Sequence, residues 1–185
     1  LKYKIFLLIH FFYKSPKVFL MRRKQKNKFI ESFLVSSSKI SNKDESSITL
    51  AELLSSLKVN KKKNNVFLKL DIEGSEWDIY PEILSKIKYF SGIAIEVHSL
   101  EIQGKKLEHM IEKFSSSDMV LVHVHPNNNG GLCKQNNLPK LLELSFINAS
   151  LLTKKELNQK KLKEFTYNFK FDRPCNPKIK EMIIN

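Results

Sequence analysis

From residue 48 onward the apolar positions fall into short blocks that change period. Val66-Phe-Leu-Lys-Leu-Asp71 is apolar apart from Lys69 and its closing aspartate, the pattern of a strand covered on both faces. Ile93-Ala-Ile-Glu-Val-His98, Val120-Leu-Val-His-Val-His125 and Leu141-Leu-Glu-Leu-Ser-Phe-Ile147 repeat that pattern and predict three further strands. Between them the spacing is helical. Leu50, Leu53, Leu54 and Leu57 share one face, and Thr49 with Glu52 makes a capping box, so a helix is predicted over about 50–57. A second helix is expected from about Ser75 to Lys88, with Pro81 disturbing or restarting its first turns. Leu107, Met110, Ile111 and Phe114 mark a third. Strands alternating with helices imply crossover connections, hence an α/β fold with a mainly parallel sheet and flanking helices.

The first 47 residues look different. An apolar and basic segment (1–21), a charged run (22–28) and a polar stretch (36–47) precede the organised part. The division expected is an N-terminal segment and linker over 1–47, a domain over 48–178 and a tail over 179–185. Ile5 to Phe12 is strongly apolar but far shorter than the roughly 20 residues a spanning helix needs. Contact with a membrane surface through residues 5–20 is kept as an expectation. The chain starts with Leu rather than Met and reads as a fragment, or as a product whose true start lies elsewhere.

Composition narrows the function classes. At 185 residues and 42% hydrophobic content the chain suits one packed domain. Its net charge of +13 could draw it to phosphate backbones, yet lysines dominate, are scattered apart from 22–28 and 61–63, and come with no groove-reading element. No nucleic-acid partner is expected. Two cysteines, Cys133 and Cys175, are too few for a disulfide framework and lack zinc-type pairing; a cytoplasmic location is expected. Oligomeric state is left open.

Candidate chemistry gathers at the strand ends. Ligands of such sheets bind beyond the carboxyl ends of the strands, where this sequence places Asp71 and Glu73, then Glu96 and His98, then His123 and His125. Alternation puts Glu96 and His98 on one side of their strand. Carboxylates converging with imidazoles suit acid-base work or a divalent metal, although each residue alone could equally cap an amide or pair with a lysine. A zinc set of His123, His125, Cys133 and Cys175 and a Cys133 nucleophile are both weaker readings, and no metal ligands are assigned. Trp77 is expected to pack its helix on the sheet.

Taken in order, Thr49-Leu-Ala-Glu-Leu-Leu54, Leu68-Lys-Leu-Asp-Ile-Glu-Gly-Ser-Glu-Trp77, Ile95-Glu-Val-His98, His123-Val-His-Pro-Asn-Asn128, Leu142-Glu-Leu-Ser-Phe146 and Pro174-Cys-Asn-Pro177 resemble the carboxyl-terminal half of the FkbM-type methyltransferases. The resemblance covers about residues 48–178. It implies a partial class I, Rossmann-like fold and transfer of a methyl group from S-adenosylmethionine to a hydroxyl of a sugar or other small metabolite. It carries Asp71, Glu96 and His98 over as catalytic residues, and Asp71, Glu73, Gly74 and Glu76 as companions of the methyl-donor site. His125 and Asn128 are placed at the substrate-side rim by position.

The chain departs from that family before residue 48. A complete member has three strands and a glycine-rich loop there, whereas all five glycines of this chain (74, 92, 104, 130, 131) come later and no acidic residue precedes Glu31. The expectation is a missing adenosine-binding half, with one sheet edge left unpaired. Truncation with loss of activity, or a non-catalytic interaction module that keeps the half-fold, both follow from that reading.

Overall fold

The computed structural model describes residues 6–10, 33–34, 36–38, 47–56, 66–134, 137–160 and 173–182. Outside the described residues lie the run 22–28, Leu57, the loop 60–65, residues 161–172 and, apart from 6–10, the segment 5–20.

The capping box forms as the sequence specifies. Helix α1 (Leu50–Ser56) follows Thr49, whose backbone amide donates to Glu52 Oε2 at 2.8 Å while Thr49 Oγ1 accepts from the Glu52 amide at 3.3 Å. Leu50, Leu53 and Leu54 are buried beneath it. Ahead of it, two short strands, β2 (Phe33–Leu34) and β3 (Ser47–Ile48), pair in parallel.

The main sheet has five strands: β1 (Phe6–His10), β4 (Val66–Asp71), β5 (Phe90–Val97), β6 (Met119–Pro126) and β7 (Leu142–Asn148). Their spatial order is β1-β4-β5-β7-β6. β1 with β4 and β4 with β5 are parallel, but β7 lies antiparallel to both β5 and β6. The mainly parallel sheet expected from the strand-helix alternation is thus corrected to a mixed one. The connection between β6 and β7 holds no helix among its described residues and turns the chain directly back, so β7 runs antiparallel to β6. β6 nevertheless runs in the direction of β5, so β4, β5 and β6 end at the same edge.

A second correction concerns the far side of β4. The sequence reading leaves that edge bare; instead Phe6 to His10 pair along it, with His10 opposite Asp71. An apolar run of this length meets the needs of an edge strand.

Helix α2 (Glu76–Ser85) runs unbroken through Pro81, so the restart expected there does not occur, and the chain then tightens into a 3₁₀ turn at Ile87–Tyr89. Helix α3 (Leu100–Ser115) packs on β6 and against α2, and α2 packs on β5. The core lies between these helices and the sheet: Leu68, Leu70, Ile83, Ile93, Met110 and Phe146 are within 1% of full burial. Phe114 and Phe146 meet edge to face at 5.0 Å. Helix α4 (Lys154–Lys160) follows β7, and among the described residues no helix is long and apolar enough to cross a membrane.

Candidate functional site

The site begins where β4 stops. Glu73 (φ 54°) and Gly74 (φ 101°) take consecutive left-handed conformations, and only glycine tolerates the second without strain. The turn frees two backbone amides, and Glu76 claims both: its Oε1 accepts from Ile72 and its Oε2 from Gly74, each at 2.9 Å. Glu76 is fully buried, so a bound molecule cannot touch it directly. Its place is beneath the site, as a brace.

β5 supplies the next two groups on one side, as alternation requires. Glu96 is 9% exposed, and its Oε1 accepts from Asn127 Nδ2 at 2.8 Å. His98 is also 9% exposed and stands at the centre. Its Nε2 lies 3.4 Å from Glu73 Oε2, 3.9 Å from Glu96 Oε1 and 4.0 Å from Asp71 Oδ1, while its Nδ1 lies 3.1 Å from Glu76 Oε1. That last contact lacks the alignment of a hydrogen bond, because Nδ1 is buried with no hydrogen-bond partner among the described residues. We treat it as a charge contact. Asp71, Glu96 and His98 each offer an atom to a group whose members all lie within 4.8 Å of one another.

Electrostatics couple these side chains. Burial pushes the Glu96 carboxyl above its ordinary value, the charge of Asp71 adds to this, and the bond from Asn127 opposes it. For His98, burial alone would lower the imidazole, but Glu76, Glu96 and Glu73 outweigh it and hold the pKa above the usual histidine value. Among the described residues no lysine or arginine forms an ion pair with Asp71, Glu73, Glu76 or Glu96, despite the strongly basic chain.

The residues expected at the rim form a separate group. His125 Nδ1 is 3.2 Å from Glu143 Oε2 and its Nε2 is 3.6 Å from Glu181 Oε1. Asn128 spends both ends of its amide on the C-terminal segment, donating to Asn176 O at 2.9 Å and Ile179 O at 3.0 Å and accepting from the Asn176 amide at 2.8 Å. Its neighbour Asn127 is the residue that enters the site, and sequence reasoning passed over it. The run of three asparagines was the available signal. His123 stacks beside His125 with ring centroids 6.3 Å apart, Cys175 approaches Glu143, and Cys133 is buried in its own loop, so the four-residue zinc set does not assemble. Trp77 packs the helix on the sheet as expected and adds a bond from its Nε1 to His98 O at 2.9 Å.

Compared with family models, curated proteins and solved structures, the chain matches none.

Proposed function

We propose that the chain is FkbM-like, a partial class I, Rossmann-like methyltransferase fold whose site receives a hydroxyl of a sugar or other small metabolite. One observation carries the reading: Asp71, Glu96 and His98, from the carboxyl ends of two adjacent parallel strands, lie within 4.8 Å of one another. The strand order β1-β4-β5, followed by β6 beyond an inserted reversed strand, is compatible with one half of a doubly wound sheet. Acceptance of a hydroxyl needs a polar group to fix the oxygen and a basic unit to take its proton. Asn127 and Glu96 provide the first, and the coupled carboxylate-imidazole unit, net negative, provides the second.

S-adenosylmethionine is the donor the resemblance implies, and the described residues do not fit it. Glu76 and the Gly74 amide, both expected on the donor side, are bonded to each other. No step is derived through the donor. This same observation favours a second reading, a non-catalytic module retaining the half-fold.

Saturation-transfer NMR with a panel of mono- and disaccharides, alongside calorimetry with S-adenosylmethionine, tests both. Sugar signals that disappear in Glu96→Gln support the acceptor site; no sugar binding by the folded protein overturns it. Donor binding with label transfer to the sugar makes the chain an enzyme, and sugar binding without it leaves the module.

A further inference from the structure

The cluster of carboxylates at the ends of β4 and β5 sets the problem. Four carboxylates surround a single imidazole, Glu76 and Glu96 are buried, and no described lysine or arginine answers them. Buried charge of one sign is costly unless paired or coordinated. His98 is nine-tenths buried, its Nδ1 has no hydrogen-bond partner among the described residues, and its Nε2 faces Asp71, Glu73 and Glu96 at 3.4 to 4.0 Å, too far for good hydrogen bonds.

We propose that Asp71, Glu96 and His98 bind one first-row divalent cation of the Mn²⁺ type, with Oδ1, Oε1 and Nε2 as ligand atoms and Glu73 at the open side.

Distances allow it. Two ligand atoms each about 2.1 Å from a metal are separated by at most about 4.2 Å. His98 Nε2 lies 3.9 Å from Glu96 Oε1 and 4.0 Å from Asp71 Oδ1, inside that limit. The remaining separation in the group is within 4.8 Å; three separations of about 4 Å put a common centre about 2.3 Å from each atom, so binding at about 2.1 Å draws the side chains inward by a few tenths of an ångström.

The surroundings are those of a metal-bound histidine. Such a ring keeps a carboxylate behind its second nitrogen, which fixes its orientation and raises its basicity. Glu76 Oε1 stands in that place, 3.1 Å from Nδ1 though out of hydrogen-bond alignment, and is itself clamped by the amides of Ile72 and Gly74. On the other flank, Asn127 holds Glu96 Oε1, and Trp77 holds the backbone of His98.

The ligand chemistry selects the cation. One imidazole with two carboxylates is softer than an all-oxygen cage, favouring a first-row ion such as Mn²⁺ or Fe²⁺ over Mg²⁺ and Ca²⁺. Exposed Glu73, with its side chain 82% accessible, marks the side from which solvent or a further ligand enters. The inference deepens the acceptor-site reading, since a cation here would hold a hydroxyl oxygen, but its test reads cation binding alone and survives the failure of that reading.

The test is Mn²⁺ titration of the full chain followed by the loss of the free-ion EPR signal, with pulsed EPR on the bound ion. One Mn²⁺ per chain, ¹⁴N modulation that vanishes in His98→Gln, and affinity at least tenfold weaker in Glu96→Gln and Asp71→Asn are expected. Glu76→Gln should weaken binding by about 10-fold or more while keeping the ¹⁴N modulation, as removal of an outer carboxylate does. Circular dichroism identifies variants that fold. No bound Mn²⁺ at millimolar metal, or binding without ¹⁴N modulation, overturns the proposal, as does binding that survives in every folded variant.

Discussion

Trp77 Nε1 donates to the carbonyl oxygen of His98 at 2.9 Å, and this buried bond fastens the first turn of α2 to the end of β5. Directly after it, Ser99 turns into left-handed backbone (φ 60°) before α3 starts. Trp77→Phe keeps most of the ring packing and removes the donor, leaving a buried carbonyl unsatisfied. A loss of about 1–3 kcal/mol in urea unfolding is expected; a loss within a few tenths would show that the bond carries no weight.

Asn128 anchors the C-terminal segment through three hydrogen bonds. Asn128→Ala should release residues 174–182 while the sheet stays folded. Mass spectrometry of brief trypsin digests would show faster cleavage after Lys178 and Lys180 than in the parent protein. Equal rates would mean that the contacts of Glu181 with His125 suffice on their own.

Cys175 gives a pH signature. Cys175 is exposed, but partial enclosure by its neighbours, then the charges of Glu143, Glu96 and Glu181, push its thiol up to about 11. The folded state therefore holds this proton more tightly than the unfolded chain, so its contribution is complete below about pH 9 and fades as pH rises toward 11. Iodoacetamide should label Cys175 at pH 8 more slowly than an ordinary exposed thiol, by about tenfold once solvent screening is counted, with the rate climbing as pH rises. Glu143→Gln should speed the reaction, and ordinary labelling at pH 8 would sink the argument.

Gly92 sits where two strands approach closely. A Cβ there would stand 3.0 Å from Phe146 O and from two ring carbons of Phe67. The Phe67 ring can swing aside, but the Phe146 carbonyl belongs to the backbone of β7, opposite β5 in the ladder. Gly92→Ala should force β5 and β7 apart and cost about 1–3 kcal/mol, seen as a melting point lower by about 2–10 °C. An unchanged melting point would contradict this.

Strands β4 to β7 and helices α1 and α3 were legible because each writes its period into a continuous run, and the Thr49/Glu52 box marks a helix start outright. Partner choice was not, because it depends on what the connections can reach. The direction of β7 had one available sign, the absence of any helical pattern between Pro126 and Leu142. β1 was concealed by its lysine flanks, which drew the reading toward surface contact and away from the pairing of Phe6 to His10 with β4.

At the site, alternation foretold that Glu96 and His98 would share a side, and Asp71 joins them. What escaped was the division of labour. Glu76 faces inward because the glycine turn before it leaves two amides in need of an acceptor, and no linear pattern records that need. Asn127 and Asn128 are adjacent, yet one holds Glu96 and the other holds the C-terminal segment, a difference decided by the loop's path.

The reversed β7 has a consequence for biosynthesis. A ribosome delivers residues 119–126 well before 142–148, yet the later stretch lies between the earlier one and the rest of the sheet. The outermost strand must wait, unzipped and adhesive, until its intervening neighbour emerges, and a nascent product halted in that interval would be prone to clump.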